Sequence, residues 1–341
     1  MKTTIENTTL WLSDAEITHF CGKSLTASLY ELPLTILLTG ELGAGKTTFL
    51  NGFSEALGIL DYLPSPTFAL ENVYETDLGV PLTHIDLYRL ENPSDAAAFL
   101  HSTDSHSGIR CVEWAQRLSH EFTEPHIRIT LADTHTKEGR GVTVSFRDIA
   151  LPSESDIAMW QQEVALPKHI VAHCAAVAEL AVTLGQHLIT QGRIIRLTAL
   201  KRAGLVHDLL RFIDFTPGAA HVEEHGDTPT VWEPYRKTYA GMKHEPACAS
   251  FLREKGFDAL ATIVEAHGLL LPPASRRTIE QKLLYYADKR VKLDTVVTLD
   301  ERFADFRERY GSDTERIKDA EVWLRQAREL ETELFQDSVP A

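Results

Sequence analysis

The feature that most constrains this chain is an octapeptide, Gly40-Glu41-Leu42-Gly43-Ala44-Gly45-Lys46-Thr47. It fits the pattern G-x-x-x-x-G-K-[ST], in which each residue type has a physical reason. The glycines let successive backbone N–H groups turn inward around phosphate oxygens. A helix that follows aims its positive end at the same phosphates. The lysine then reaches the β and γ phosphates, and the threonine hydroxyl can hold Mg2+. The context here agrees: an apolar run, Leu34–Thr39 (LTILLT), precedes the loop and a helical stretch, Thr47–Leu57, follows it. Gly43, Ala44, Gly45, Lys46, Thr47 and Thr48 are therefore the expected nucleotide-binding residues.

Such a loop works within a sheet, and the flanking sequence supplies one. Besides Leu34–Thr39, the segments Thr83–Asp86, Ile109–Glu113, Ile127–Leu131 and Val142–Phe146 read as short apolar strands. Strands interleaved with helical stretches imply an α/β sheet. The pattern breaks at Leu151–Asp156 (LPSESD), whose proline, serines and acids make it the candidate linker. Beyond it apolar residues recur at helical spacing, as in Val177, Leu180, Ala181 and Leu184, in Leu260, Ile263 and Val264, and in Leu283, Leu284 and Ala287. The expectation is a two-domain chain, with an N-terminal α/β P-loop NTPase domain over residues 1–150 and an all-α domain over residues 160–335.

Composition narrows the classes further. The formal net charge is −15, which disfavours stand-alone nucleic-acid binding because that binding is driven by phosphate neutralisation. The four cysteines, Cys21, Cys111, Cys174 and Cys248, form no CxxC pair, as expected in a reducing compartment. The first residues lack the apolar core of a signal peptide, and no apolar run of about 18 residues is read. The expected location is cytoplasmic, with no membrane contact.

A P-loop needs an acid near its threonine to position Mg2+ and water. Asp86 ends one strand in THIDLYRL, and Glu113 ends another in RCVEWAQRL. Strand ends deliver side chains to the phosphate side of such sheets, although an acid there can equally be a solvated cap.

Four segments, LLTGELGAGKTTFL, LPSPTFALENVYE, THIDLYRL and VEWAQRL, occur in an order and spacing that resemble the TsaE family over residues of roughly 10–147. TsaE is the ATPase of bacterial tRNA threonylcarbamoyladenosine (t6A37) synthesis. The resemblance implies ATP and Mg2+ as cofactors and slow hydrolysis. It also implies TsaB and TsaD type partner proteins, with tRNA contacted only indirectly. It makes Lys46, Asp86 and Glu113 the catalytic set. Thr47 and Glu113 become Mg2+ ligands, Asp86 an acidic metal or water partner, and Thr67 and Trp114 neighbours of the nucleotide. The small polar stretch between Asp95 and Ile109 departs from the acid-rich segment expected there.

The second half carries His173, the pair His207-Asp208, His244, His267 and Asp288, each among apolar residues. Imidazole and carboxylate suit Mn2+, Fe or Zn2+. A lone buried histidine is usually a hydrogen-bonded core residue, but the ordered set H…HD…H…H…D resembles the HD superfamily of metal-dependent phosphohydrolases over roughly Pro167–Leu293. By that resemblance His173, His207, Asp208 and Asp288 hold a first metal. His244 and His267 add a second metal or bind phosphate. Asp208 is then catalytic and the substrate is a nucleotide. Leu209, Leu210 and Arg211 replace the glycine and lysine that many relatives have after HD. His169, a minor rival to His173, is read with His187, His221 and His225 as surface or loop histidines. Pro217–Tyr239 reads as a lid or substrate loop, with Arg236 and Lys237 as candidate phosphate contacts. Two other readings stay open: a P-loop domain that uses bound ATP to dock partners, and a second domain that senses a nucleotide without cleaving it.

Overall fold

The structure is a computed structural model that describes residues 3–60, 63, 70–118, 121–133, 138–215, 229–269, 271–310 and 314–336. It divides into two compact units. The first comprises Met1–Ala150 with Leu188–Arg196, and the second Leu151–His187 with Leu197–Ala341.

The first unit is built on a seven-stranded sheet in the order β1-β7-β6-β2-β5-β4-β3. The strands are β1 (Glu6–Leu12), β2 (Leu34–Thr39), β3 (Glu71–Tyr74), β4 (Leu82–Asp86), β5 (Ile109–Glu113), β6 (His126–Asp133) and β7 (Arg140–Arg147). The four central strands, β4, β5, β2 and β6, run parallel, β3 and β7 run antiparallel to them, and β1 pairs antiparallel with β7. Every residue of β2, β4 and β5 is buried, as parallel strands covered on both faces require. That double burial is why they read in sequence as unbroken apolar runs.

Two strands are additions to the sequence reading. In β1 the buried positions alternate strictly, but they include Glu6 and Thr8, whereas Trp11 faces solvent at 49 % exposure. The period of two was present but carried by the wrong residue types. Strand β3 lies at the sheet edge with a half-exposed pattern and has no apolar face to reveal it.

Helix α1 (Ala15–Leu25) starts at Asp14, whose side chain accepts from the Ile17 N–H. Helix α2 (Lys46–Ala56) begins at Gly45, which has φ +100°. Helix α3 (Pro93–Ser102) is capped by Asn92 with proline in its first turn, in keeping with helix N-terminal preferences. Leu188–Arg196 is tied to this unit by Arg196. Its guanidinium donates to both carboxylate oxygens of buried Asp148, at 2.9 and 2.5 Å, and to the Ser28 carbonyl.

The second unit consists of helices α4 (Glu154–Glu163), α5 (Lys168–Thr190), α6 (Leu197–Val206), α7 (Pro229–Thr238), α8 (His244–Glu254), α9 (Asp258–Glu265), α10 (Ile279–Lys289), α11 (Leu299–Tyr310) and α12 (Thr314–Phe335). The last three residues of α5 count with the first unit. This unit is not purely helical. Val291–Lys292 pairs with Thr295–Val296 as a small hairpin, β8 and β9, too short to leave a periodic trace.

Three further expectations are corrected. Leu151–Asp156 is no free linker, since Leu151 and Pro152 are buried and Ser153 caps α4 in a capping box with Asp156. Part of the expected lid loop is helix α7. Its Trp232 is fully buried, stacked on Phe212 at 5.0 Å, and donates to the Val164 carbonyl; residues 217–228, with His221 and His225, lie outside the described residues. Helix α5 is long and apolar enough by length and composition to cross a bilayer, where no such run was read. Forty-four per cent of its most apolar window is buried.

Candidate functional site

The P-loop closes the end of β2, with β5 and β4 on one side. Parallel registry puts Leu38 beside Glu113 and Glu113 beside Asp86. All three strands therefore end at the same level, which is where ligands bind in open α/β sheets. A cleft of about 450 Å³ opens there, lined by Gly43, Gly45, Lys46, Thr47, Thr48, Asp86, Glu113 and Trp114 among the expected residues. Leu42, Tyr88 and Arg89 complete it without having been singled out in sequence. Ala44, within the loop, is buried. Thr67 lies outside the described residues.

Within the cleft each side chain has a defined partner. The Thr47 hydroxyl donates to Glu113, at 3.0 Å to one carboxylate oxygen and 3.3 Å to the other. Lys46 Nζ donates to the Gly40 and Glu41 carbonyls, both at 2.9 Å, and sits 3.8 Å above the Trp114 ring. Burial pushes the Lys46 pKa down, while Glu113, Asp86 and Glu41 oppose it. Asp86 accepts from the Tyr88 N–H at 2.9 Å, which fixes the turn after β4. Trp114 takes a left-handed conformation, φ 59°, and its ring packs 4.8 Å from Tyr88. The loop is braced from outside by Arg140, whose guanidinium donates to the Ala44 carbonyl at 2.6 Å.

His84 was missed in sequence. It is fully buried two residues before Asp86, with Nε2 3.0 Å from a Glu113 oxygen. The signal was available, since alternation along a strand puts residues 84 and 86 on one face.

The second unit gathers its six expected residues from five segments. His173 lies on α5, His207 and Asp208 follow α6, His244 opens α8, His267 follows α9, and Asp288 is near the end of α10. His173 Nε2 lies 3.1 Å from Asp288 Oδ1, and His207 Nε2 lies 3.7 Å from the same oxygen and 3.8 Å from Asp208 Oδ2. His244 Nε2 lies 3.0 Å from Asp208 Oδ1 and 3.2 Å from His267 Nε2. Two sets, His173 with His207 and Asp208, and Asp208 with His244 and His267, each have ligand atoms close enough for one ion. Asp208 belongs to both.

The outward ring nitrogens of three histidines are held by main-chain carbonyls: His173 by Leu293, His207 by Gly204 and His267 by Val264. This turns each Nε2 toward the cluster, as a main-chain partner on the opposite nitrogen does for metal-ligating histidines. The β8–β9 hairpin that was not read in sequence supplies the Leu293 carbonyl. His207 Nε2 is buried without a hydrogen-bond partner among the described residues. Burial opposes charge on Asp208 and Asp288, but His207 and Arg211 hold the first, and Lys289 and His173 the second, well below the usual carboxylate range. Asp214 also approaches, at 2.6 Å from His244 Nδ1, and was not among the expected residues.

The remaining expectations divide. Arg211 lines the small recess over this cluster, beside Lys289, which the sequence had not singled out. Leu209 and Leu210 are buried core residues. Arg236 donates to the Phe212 carbonyl rather than lining the recess. His169 is exposed.

Residues 12–142 match the family described as "Threonylcarbamoyl adenosine biosynthesis protein TsaE". A relative from Nostoc sp. named tRNA threonylcarbamoyladenosine biosynthesis protein TsaE is 36% identical over 39% of this chain and 81% of its own length. One of the same name from Aquifex aeolicus is 46% identical over 31% of this chain and 75% of its own. The crystal structure of Bacillus subtilus YdiB is 28% identical over 42% of this chain and 88% of that one, with a TM-score of 0.34. With a phosphate-binding loop, an acid paired to its threonine and relatives covered over most of their length, the chain belongs to the TsaE family.

Proposed function

We propose that the first unit binds ATP with Mg2+ and hydrolyses it slowly as the ATPase component of tRNA t6A37 modification, together with TsaB and TsaD type proteins. The observation that carries this reading is the Thr47–Glu113 hydrogen bond at the foot of the loop. It directs the hydroxyl hydrogen to the carboxylate and leaves the Thr47 oxygen lone pairs toward the cleft, where Mg2+ would be held. Lys46 exchanges its two carbonyl partners for phosphate oxygens, and Asp86 orders the water side of the cleft. Bound Mg2+ supplies neutralisation of the charge on the transferring phosphoryl group. The test is ATP turnover by the full chain, alone and with TsaB and TsaD type proteins, with Lys46→Ala beside it. Turnover equal in the two chains removes the reading.

The second unit is read as an HD-type metal-dependent phosphohydrolase acting on a nucleotide. Imidazole nitrogens and carboxylates from five segments converge there, a donor set that suits a divalent cation. His173, His207, Asp208 and Asp288 would hold one ion. His244 and His267, with Asp208 shared, would hold a second. Such an ion supplies a hydroxide-like water at neutral pH. A panel of nucleotides incubated with Mn2+ and the full chain, read by mass spectrometry, tests this. Cleavage that survives in Asp208→Ala removes the second unit from the reaction.

A further inference from the structure

Glu113 is almost wholly buried, and a buried carboxylate needs donors to replace water. It has two. The Thr47 hydroxyl occupies one side and His84 Nε2 the other, at 3.0 Å. An ionised carboxylate only accepts, so the His84 hydrogen is on Nε2. The opposite nitrogen, Nδ1, is buried and without a hydrogen-bond partner among the described residues. A bare Nδ1 lone pair is the cheaper orphan than an unpaired N–H. The ring therefore has one tautomer that suits its surroundings, and that tautomer donates to Glu113.

The sheet explains why the donor can be so well aimed. Strands β4 and β5 are paired in parallel, with His84 beside Cys111 and Asp86 beside Glu113. Both are fully buried strands in the middle of the sheet, so the His84 ring has no solvent-side alternative. Asp86 and His84 share a face of β4 by alternation, and Glu113 reaches across to that face. A core histidine placed only to fill space would not need its single N–H directed at the acid that holds the P-loop threonine.

We infer that His84 is a positioning residue of the ATP site: its Nε2–H fixes the Glu113 carboxylate so that Glu113 accepts the Thr47 hydroxyl hydrogen and leaves the threonine oxygen free for the metal. This rests on the ATPase reading of the same site. Its consequence is a split. His84 acts on the metal-dependent part of binding and on turnover, and leaves the phosphate cradle formed by the loop backbone untouched.

The experiment compares full-length parent, His84→Gln, His84→Leu and Lys46→Ala. ATP affinity is titrated in EDTA and in Mg2+, turnover is measured in Mg2+, and the metal-free parent is examined by 15N NMR of its histidines, with His84 assigned by its loss in His84→Gln. His84→Leu is expected to bind ATP in EDTA within about twofold of parent, to lose most of the Mg2+-dependent gain in affinity, and to lower kcat about tenfold or more with little change in KM. His84→Gln, whose amide N–H can reach Glu113, is expected to recover to within about threefold of parent. NMR should find the hydrogen on Nε2 of His84. The inference is overturned if His84→Leu keeps its Mg2+ response and kcat, if His84→Gln does no better than His84→Leu, or if the hydrogen is on Nδ1. Failure of the ATPase reading shows up separately, as equal ATP binding by parent and Lys46→Ala. The NMR result stands even if His84→Leu does not fold.

Discussion

The Thr47 hydroxyl lies within hydrogen-bond reach of both Glu113 oxygens, at 3.0 and 3.3 Å, and both residues are held by secondary structure, one in the first turn of α2 and one at the end of β5. In Glu113→Gln the acid is lost while the cradle remains, so ATP affinity should stay within about threefold while turnover drops about 10²-fold. Lys46→Ala should do the reverse first, weakening ATP binding itself. Calorimetric titration with ATP and a phosphate-release assay separate the two. Equal loss of affinity in both variants would mean that Glu113 serves the loop's fold rather than the reaction.

Two glycines of the loop offer a graded test of its geometry. Gly43 has φ +80°, and a Cβ there would meet nothing within 4 Å. Gly45 has φ +100°, and a Cβ there would fall 2.1 Å from Arg140 Nη1. Gly43→Ala therefore carries only the left-handed penalty, about 1–2 kcal/mol. Gly45→Ala adds displacement of the guanidinium that braces the Ala44 carbonyl. ATP affinity should fall at least about tenfold further in Gly45→Ala than in Gly43→Ala. Adding Arg140→Ala to Gly45→Ala should return part of that loss, a coupling that a double-mutant cycle reads directly.

Asp148 and Arg196 bear on where the first unit ends. The sequence reading closed the first domain at residue 150, yet Arg196 is fully buried and forks onto Asp148 with a Phe146 ring 4.0 Å away. Removing one partner of such a pair leaves a buried charge uncompensated, at a cost of about 3–5 kcal/mol. Arg196→Met should lower the unfolding free energy of the first unit by that order, and Asp148→Leu with Arg196→Met should recover much of it. A fragment of residues 1–150 should be destabilised for the same reason. Denaturant titration followed by the ATP-binding signal of the P-loop checks all three, and a fragment as stable as the full chain would show that Leu188–Arg196 is dispensable.

What the sequence made legible follows from how each feature is encoded. Strands β2, β4 and β5 announce themselves because double burial demands unbroken apolar residues, and the P-loop because backbone geometry and charge admit few alternatives. The six histidines and acids of the second half were read as an ordered set, and they come together from five separate segments. Residues whose role is to hold others were not singled out, and for His84 strand alternation gave its face but not its partner. His84 sat inside a strand as an ordinary polar residue, Arg140 braces the loop across 96 positions, and Asp214 meets His244 across 30. Such contacts depend on tertiary registry, which leaves no local period. Trp11 and Glu6 in β1 concealed a strand for a related reason, since local burial reversed the residue types expected on each face.

Of three candidate ligand sets among the described residues, the two drawn wholly from the expected residues share Asp208, while the third is Asp214, His244 and Glu245, and that sharing gives the metal reading its sharpest consequence. If Mn2+ binds between these groups, it binds the folded chain and not the unfolded one, and at about 100 times its Kd it stabilises by about 2.7 kcal/mol. The parent should then show an upper shift of several degrees in its melting transition on adding Mn2+, reversed by EDTA. His173→Ala and His267→Ala each strip one set and should retain part of the bound metal measured by elemental analysis. Asp208→Ala strips both, and should lose nearly all of the bound metal and the whole thermal shift. Lys46→Ala, which lies in the first unit, should keep both. A parent that takes up no Mn2+, or an Asp208→Ala chain stabilised as much as the parent, would leave the six residues as a buried hydrogen-bonded cluster and nothing more.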